Sequence, residues 1–316
     1  MDEIVTGQVL GYNNQMNLAS KIDETSSRLL PNSTPPRSAS EVKNLLKEYA
    51  IRPSRGLGQN FLIDKTAVRG VVTAADLKPE DLVLEVGPGL GVLTQELAKT
   101  VKMVIAVEKD PKMVAILKET LKNYKNIEII REDILKFQIT NYKLQINPKY
   151  QITNYKVVAS LPFYLAASVI RKFLEFKNPP ESMTLIIQKE VAQRVAARPP
   201  KMNLLAVSVQ FYAEPKIINY ISKKSFWPQP KVDGAIIKIQ TSKSKSQNID
   251  KGLFFKIVKA GFSQPRKLLI NNLSKKLKVD KIKVKAWLWK SNIQSSQRAE
   301  TLNIENWISL AKNFNF

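Results

Sequence analysis

From Leu82 onward, short apolar runs alternate with stretches of helical period, and a glycine-rich turn follows the first run. The pattern predicts strands over 82–86, 101–107, 127–130, 157–160 and 183–187, with helices over 93–99 and 113–121 between them. Strands separated by helices cannot pair as hairpins. They pair through crossovers, which build a parallel sheet with helices on both faces. The expected fold class is therefore α/β and Rossmann-like over residues 41–240.

Either side of this region the character of the chain changes. Residues 1–40 are polar, with the Pro35-Pro36 pair and little periodicity, and read as a mobile tail. A helix is expected after it, with Ser40 as N-cap and Val42, Leu45, Leu46 and Tyr49 at helical spacing. The segment Gln138-Ile139-Thr140-Asn141-Tyr142-Lys143 recurs unchanged from Gln151 to Lys156, and the stretch 137–156 reads as an inserted surface loop. Residues 241–248 form a polar linker. Beyond it Phe254, Ile257 and Val258, then Leu268, Leu269 and Leu273, follow helical spacing, and Asn303 is placed to cap a last helix carrying Ile304, Trp307, Ile308 and Ala311. Residues 248–316 are expected to form a small, basic, all-helical domain.

Charge and two missing residue types narrow the function. Lys and Arg number 50 against 27 Asp and Glu, a net charge of +23. Between Lys243 and Lys290 fourteen basic residues face only Asp250 and Asp280. Such an excess points to a polyanionic partner, nucleic acid before an anionic membrane, with a solvated lysine face as the structural alternative. The chain has no Cys and no His. Disulfides, thiol nucleophiles, zinc–thiolate sites and imidazole bases are thereby excluded, and no metal is expected. Chemistry here must rest on positioning and hydrogen bonding. The first thirty residues lack the pattern of a signal peptide, and the longest apolar run, 157–170, is too short to cross a bilayer, so a cytoplasmic protein is expected.

Glu85-Val86-Gly87-Pro88-Gly89-Leu90-Gly91 joins the first strand to its helix. Glycines there let the backbone turn sharply and approach a ligand. Val92 stands where a dinucleotide fingerprint needs its third glycine, which disfavours a pyrophosphate site. Glu108 ends the second strand, twenty-one residues after Gly87, where an acid can accept from both hydroxyls of a ribose or simply cap a helix. Asp133, after the third strand, can accept from an adenine amino group or act as an N-cap. Together these features suit an adenosine-containing cofactor without a diphosphate, a description that S-adenosylmethionine meets.

Ser160-Leu161-Pro162-Phe163 closes the fourth strand and resembles the [Asp/Asn/Ser]-x-Pro-[Tyr/Phe] loop of amino-group methyltransferases. Further stretches extend the likeness: Leu57 to Leu62 (Leu-Gly-Gln-Asn-Phe-Leu), Gln188 to Arg194, Phe226 to Asp233, Phe262-Ser263-Gln264 with Arg266-Lys267, and Arg298 to Leu302. In this order they resemble the ribosomal RNA small-subunit adenine dimethyltransferase A family over about Ile51 to Leu310. The resemblance implies a Rossmann-like S-adenosylmethionine-dependent methyltransferase domain with a small helical C-terminal domain. It implies cofactor contacts at Asn60, Leu62, Gly87, Glu108, Asp133 and Ser160, a target-base site at Ser160, Leu161, Pro162, Phe163 and Phe226, and RNA contacts at Arg266 and Lys267. It further implies N6-dimethylation of two adjacent adenines near the 3′ end of small-subunit ribosomal RNA by a monomer. The related large-subunit methyltransferases of macrolide resistance, and an RNA-binding assembly factor with weakened catalysis, are the competing readings. Three departures from the family pattern stand out: Ser160 for the usual Asn, Pro265 for an Arg, and Met202-Asn203 for a Tyr-Gly expected in a surface loop.

Overall fold

The computed structural model describes residues 35–36, 38–54, 56, 58–139, 154–242 and 249–315. The N-terminal helix α1 (Ala39–Glu48) buries Val42, Leu45 and Leu46. Its cap is Ser38 rather than Ser40. Ser38 has the extended backbone that a cap requires, and its hydroxyl accepts from the Glu41 N–H, whereas Ser40 already lies inside the first turn. A two-residue strand β1 (Phe61–Leu62) leads into α2 (Lys65–Ala75).

The alternating core then runs β2 (Leu82–Val86), α3 (Val92–Ala98), β3 (Met103–Glu108), α4 (Pro111–Thr120), β4 (Ile127–Arg131), β5 (Lys156–Ser160), α5 (Ala166–Glu175), β6 (Ser182–Gln188), α6 (Lys189–Val195) and α7 (Leu204–Gln210). After it come β7 (Ala213–Ile221), β8 (Phe226–Trp227) and β9 (Gly234–Thr241). The main sheet has seven strands in the order β4-β3-β2-β5-β6-β9-β7. The strands from β4 to β6 are parallel as expected, but β9 runs antiparallel to both its neighbours, β6 and β7, so that β7 at the edge points the same way as β6. The uniformly parallel sheet of the sequence reading is corrected at this edge. The return from β7 to β9 is short and contains no crossover helix, so only an antiparallel strand can form.

Period-2 alternation sends the two sets of side chains to opposite faces. Val83, Val104, Val158, Ile186 and Ile236 pack with Val68, Val71, Leu93 and Leu97 of α2 and α3. Leu84, Ile105, Val157, Leu185 and Ile237 pack with Val169, Ile170 and Phe173 of α5. The ends of the 137–156 stretch read as an inserted surface loop belong to this second core rather than to the surface. Phe137, Ile139 and Tyr155 are buried, Tyr155 meets Phe173 edge to face, and Lys156 opens β5 and pairs with Asp81 at 2.7 Å. Residues 140–153, like most of the expected N-terminal tail, lie outside the described residues.

The C-terminal helices α8 (Lys251–Gly261), α9 (Leu269–Leu277), α10 (Lys281–Lys290) and α11 (Ile304–Lys312) share one core built around Phe254, Leu273, Trp287 and Trp307. Asn303 caps α11 in a reciprocal capping box with Asn306. Met202 is buried in this core and donates its N–H to the Glu300 carbonyl, while Asn203 caps α7. The expectation that this pair sits in a surface loop is thus overturned, because the segment is the seam between the sheet and the helical bundle. A Cβ at Gly261 would overlap the Trp307 ring. Gly261→Ala is expected to destabilise the protein by about 1–3 kcal/mol through overpacking, read as a lowered midpoint in chemical denaturation.

Candidate functional site

The chain runs outward from β2 through β3 to β4, then returns to place β5 on the other side of β2. That reversal opens a crevice at the carboxyl ends of the strands, where open α/β sheets bind ligands. Residues from each strand end line it: Gly87 and Gly89 after β2, Glu108 at the end of β3, Asp133 after β4, and Ser160 to Phe163 at the end of β5.

The glycine loop is held in left-handed backbone, with φ of +64° at Gly87 and +58° at Gly89, which only glycine adopts without strain. A Cβ built on Gly87 would stand 3.9 Å from Pro162 Cδ, so the missing side chain leaves space between the glycine loop and the Ser160–Phe163 loop. Glu108 is nearly buried. Its Oε1 accepts from the Asp110 N–H at 2.9 Å and its Oε2 from the Gly89 N–H at 3.3 Å. Burial pushes this carboxyl above the usual range, and the two N–H donors partly offset the shift. Each oxygen keeps a lone pair for a ligand hydroxyl. The site therefore fits a nucleoside better than a diphosphate.

Asp133 is engaged on both oxygens. Leu135 N–H donates to Oδ1 at 2.9 Å and Lys109 Nζ reaches Oδ2 at 2.8 Å. The Lys109 hydrogen bond holds the Asp133 carboxyl below the ordinary range. Asp133 thus lines the crevice and begins a turn rather than a helix, so the N-cap reading is not met. Lys109 was not foreseen, although it follows Glu108 directly and the strand end turns it toward Asp133.

Two motifs far apart in sequence meet beside this crevice. β1 and β8 pair antiparallel, matching Phe61 with Trp227 and Leu62 with Phe226. Asp64 caps α2 and accepts from Ser225 Oγ at 2.7 Å, a bond that holds its carboxyl low. Gln59 Nε2 donates to Asp110 Oδ2 at 2.8 Å, tying the segment that leads into β1 to the end of β3. Gln59 is a second residue that sequence reasoning missed, even though it lies within the motif. Asn60 lines the crevice. Leu62 does not, and its buried side chain borders only a smaller adjoining cleft with Asn60, Glu85, Gly87 and Ser160.

Phe226 is both core and crevice wall: it is buried, yet its ring meets Phe163 edge to face at 6.5 Å. Among the described residues, neither the Ser160 hydroxyl nor the Leu161 carbonyl takes part in a hydrogen bond within the protein. Both remain available as acceptors. Arg266 and Lys267 are not part of this crevice and lie exposed between α8 and α9.

The model of the ribosomal RNA adenine dimethylases matches residues 52–315. The chain belongs to that family. Among its relatives, a ribosomal RNA small subunit methyltransferase A from Dehalococcoides mccartyi is 42% identical, covering 86% of this chain and 92% of the relative. One of the same name from Alkaliphilus oremlandii is 41% identical, covering 87% and 96%. Among solved structures, the 23S rRNA methyltransferase ErmE superposes with a TM-score of 0.65 at 24% identity, over 80% of this chain and 99% of ErmE. A dimethyladenosine transferase from Plasmodium falciparum has the same TM-score at 22% identity, over 78% and 94%. The structural likeness establishes the Rossmann-like methyltransferase fold. It does not separate large-subunit from small-subunit targets, and the adenine dimethylase family membership rests on the sequence matches.

Proposed function

We propose that this chain is an S-adenosylmethionine-dependent methyltransferase that dimethylates N6 of two adjacent adenines near the 3′ end of small-subunit ribosomal RNA. The observation that carries the reading is convergence: the glycine loop, Glu108, Asp133 and the Ser160–Phe163 loop open onto one crevice, in a chain whose 41–42% identical relatives are named small-subunit methyltransferases.

In this reading Glu108 accepts from the ribose hydroxyls, Asp133 from the adenine amino group of the cofactor, and Gly87 admits it close to the backbone. Asn60 lines the crevice, and Leu62 borders only the smaller adjoining cleft. When bound, S-adenosylmethionine supplies an electrophilic methyl group. The chain's own residues act on the target base. The Ser160 hydroxyl and the Leu161 carbonyl accept from the two hydrogens of its amino group, which draws the nitrogen lone pair out of conjugation with the ring. Pro162 fixes the loop in which these acceptors sit. Phe163, backed by Phe226, offers a face on which an extruded adenine stacks. Aligned in this way, the nitrogen needs no imidazole base before it attacks, consistent with a chain that contains no His. Arg266 and Lys267 lie outside the crevice, where they can hold RNA phosphates. With a ribosomal substrate, the enzyme works in the cytoplasm as a monomer on the small subunit or its precursor. No described helix is long and apolar enough to cross a membrane.

The test is transfer of labelled methyl to immature small subunits, followed by mass spectrometry of digested RNA. Dimethyladenosine at adjacent positions is expected. Cofactor binding without any dimethyladenosine would overturn the substrate assignment, and macrolide resistance on expression in a sensitive host would move it to the large subunit. Ser160→Asn restores the acceptor usual in the family, and is expected to raise the single-turnover rate by up to about tenfold, the worth of one ordinary hydrogen bond. An unchanged rate would mean that Ser160 does not touch the base.

A further inference from the structure

Helix α10 turns only Val284, Trp287 and Leu288 inward. With successive side chains about 100° apart, its outward arc has Trp289 and Ile282 at the centre and Ala286 beside them. Lys281 and Lys285 line one flank of this ridge, and Lys283 and Lys290 line the other. Trp289 is 81% exposed and Ile282 79% exposed. Among the described residues none of these four lysines has a carboxylate partner. The nearest acid in sequence, Asp280, is occupied as the cap of α10, accepting from the Ile282 N–H at 2.7 Å.

A tryptophan left this far in water gains nothing from burial on folding. Its flat ring between two rows of ammonium groups is complementary to an unpaired nucleotide, whose base stacks on an aromatic face while the flanking phosphates meet the lysines. An anionic membrane shares the charge requirement but wants a broad apolar face. Here the other large apolar residues of the helix, Val284, Trp287 and Leu288, are committed to the core.

We propose that this face of α10 is a single-stranded RNA contact, with a base stacked on Trp289 and phosphates held by Lys281, Lys285, Lys283 and Lys290. It is separate from Arg266 and Lys267, and rests on the proposed RNA substrate for the choice of polyanion. The ridge is not legible from charge counts, since it depends on which side of α10 is buried.

The experiment uses the full chain and a labelled single-stranded twelve-residue oligoadenylate, with affinity read by anisotropy over a range of salt. Trp289→Ala is expected to weaken binding about ten- to a hundredfold while leaving the salt dependence unchanged. Lys285→Gln with Lys290→Gln is expected to lower the slope of log affinity against log salt by about 1.4. Unaltered cofactor binding by calorimetry shows that each variant is folded. Wild-type affinity in Trp289→Ala overturns the proposal. So does Trp289-dependent binding to phosphatidylserine vesicles with no Trp289-dependent binding to the oligonucleotide. Methylation of small subunits by the unmodified enzyme is scored separately. Its absence, with Trp289-dependent RNA binding intact, removes only the catalytic reading; its presence, with RNA binding indifferent to Trp289, removes only this one.

Discussion

Replacing Glu108 by Gln is expected to raise the dissociation constant for S-adenosylmethionine about a hundredfold or more, measured by calorimetry. Two causes add. The neutral amide gives up charge-assisted bonds to the ribose hydroxyls, each worth about 1.5–3 kcal/mol. It also offers one oxygen where the protein needs two, because both carboxylate oxygens already accept backbone N–H groups, from Asp110 and from Gly89. Whichever way the amide is turned, its NH2 group faces one of those donors. In one orientation the Gly89 N–H loses its acceptor and in the other the Asp110 N–H does, while the Gly87 N–H keeps its bond to the Val107 carbonyl at 2.9 Å. A dissociation constant within about threefold of the original would show that the ribose lies elsewhere. Near-ultraviolet circular dichroism separates a lost ligand contact from a lost fold.

The second large effect comes from Glu85, two residues before Gly87. Its side chain is buried, Oε2 has no hydrogen-bond partner among the described residues, and burial pushes the carboxyl up from 4.5 to about 8. The Thr94 hydroxyl offsets this in part, and the neighbouring Glu108 adds to it. At neutral pH the folded protein therefore holds Glu85 as the neutral acid while the unfolded chain ionises it. A raised folded-state pKa stabilises most below the unfolded value, and that contribution is lost as pH rises through the window from 4.5 to about 8. Within the window the slope is about 1.4 kcal/mol per pH unit for a single group, and the total is of the order of several kcal/mol. Glu85→Gln removes the titration while keeping the shape. Chemical denaturation across this range should find wild type losing stability relative to the variant as pH rises. Parallel curves would mean that Glu85 is ionised or hydrated in the folded state.

These two carboxylates mark where sequence reasoning succeeds and where it stops. The place of Glu108 at the crevice was legible because an acid ending the strand after the glycine loop stands at the carboxyl edge of a doubly wound sheet. Glu85 stands in the same motif and looks no different as a letter. Its burial follows from facing Val83's side of the sheet, toward α2 and α3. Phe226 shows the same limit. As a residue it is equally a core or a pocket aromatic, and its pairing with Leu62 and edge contact with Phe163 make it both. Lys109 and Gln59 went unforeseen because each acts on a partner, Asp133 or Asp110, supplied by a different stretch of chain. Ser40 failed as a cap by two residues, since Ser38 and Ser40 compete with the same chemistry and only the backbone of Ser38 is extended.

Local patterning alone determined the parallel strands and their helices, the glycine turn and the Asn303 cap, because each depends on periodicity or on neighbours within a few residues. Tertiary structure decided the antiparallel insertion of β9 between β6 and β7, the union of β1 with β8 at the crevice, the place of Met202 in the seam, the buried ends of the inserted stretch, and the side of α10 that faces water. All of these depend on which surfaces segments distant in sequence cover, and the periodicity of a segment shows that one face is buried but not which partner buries it.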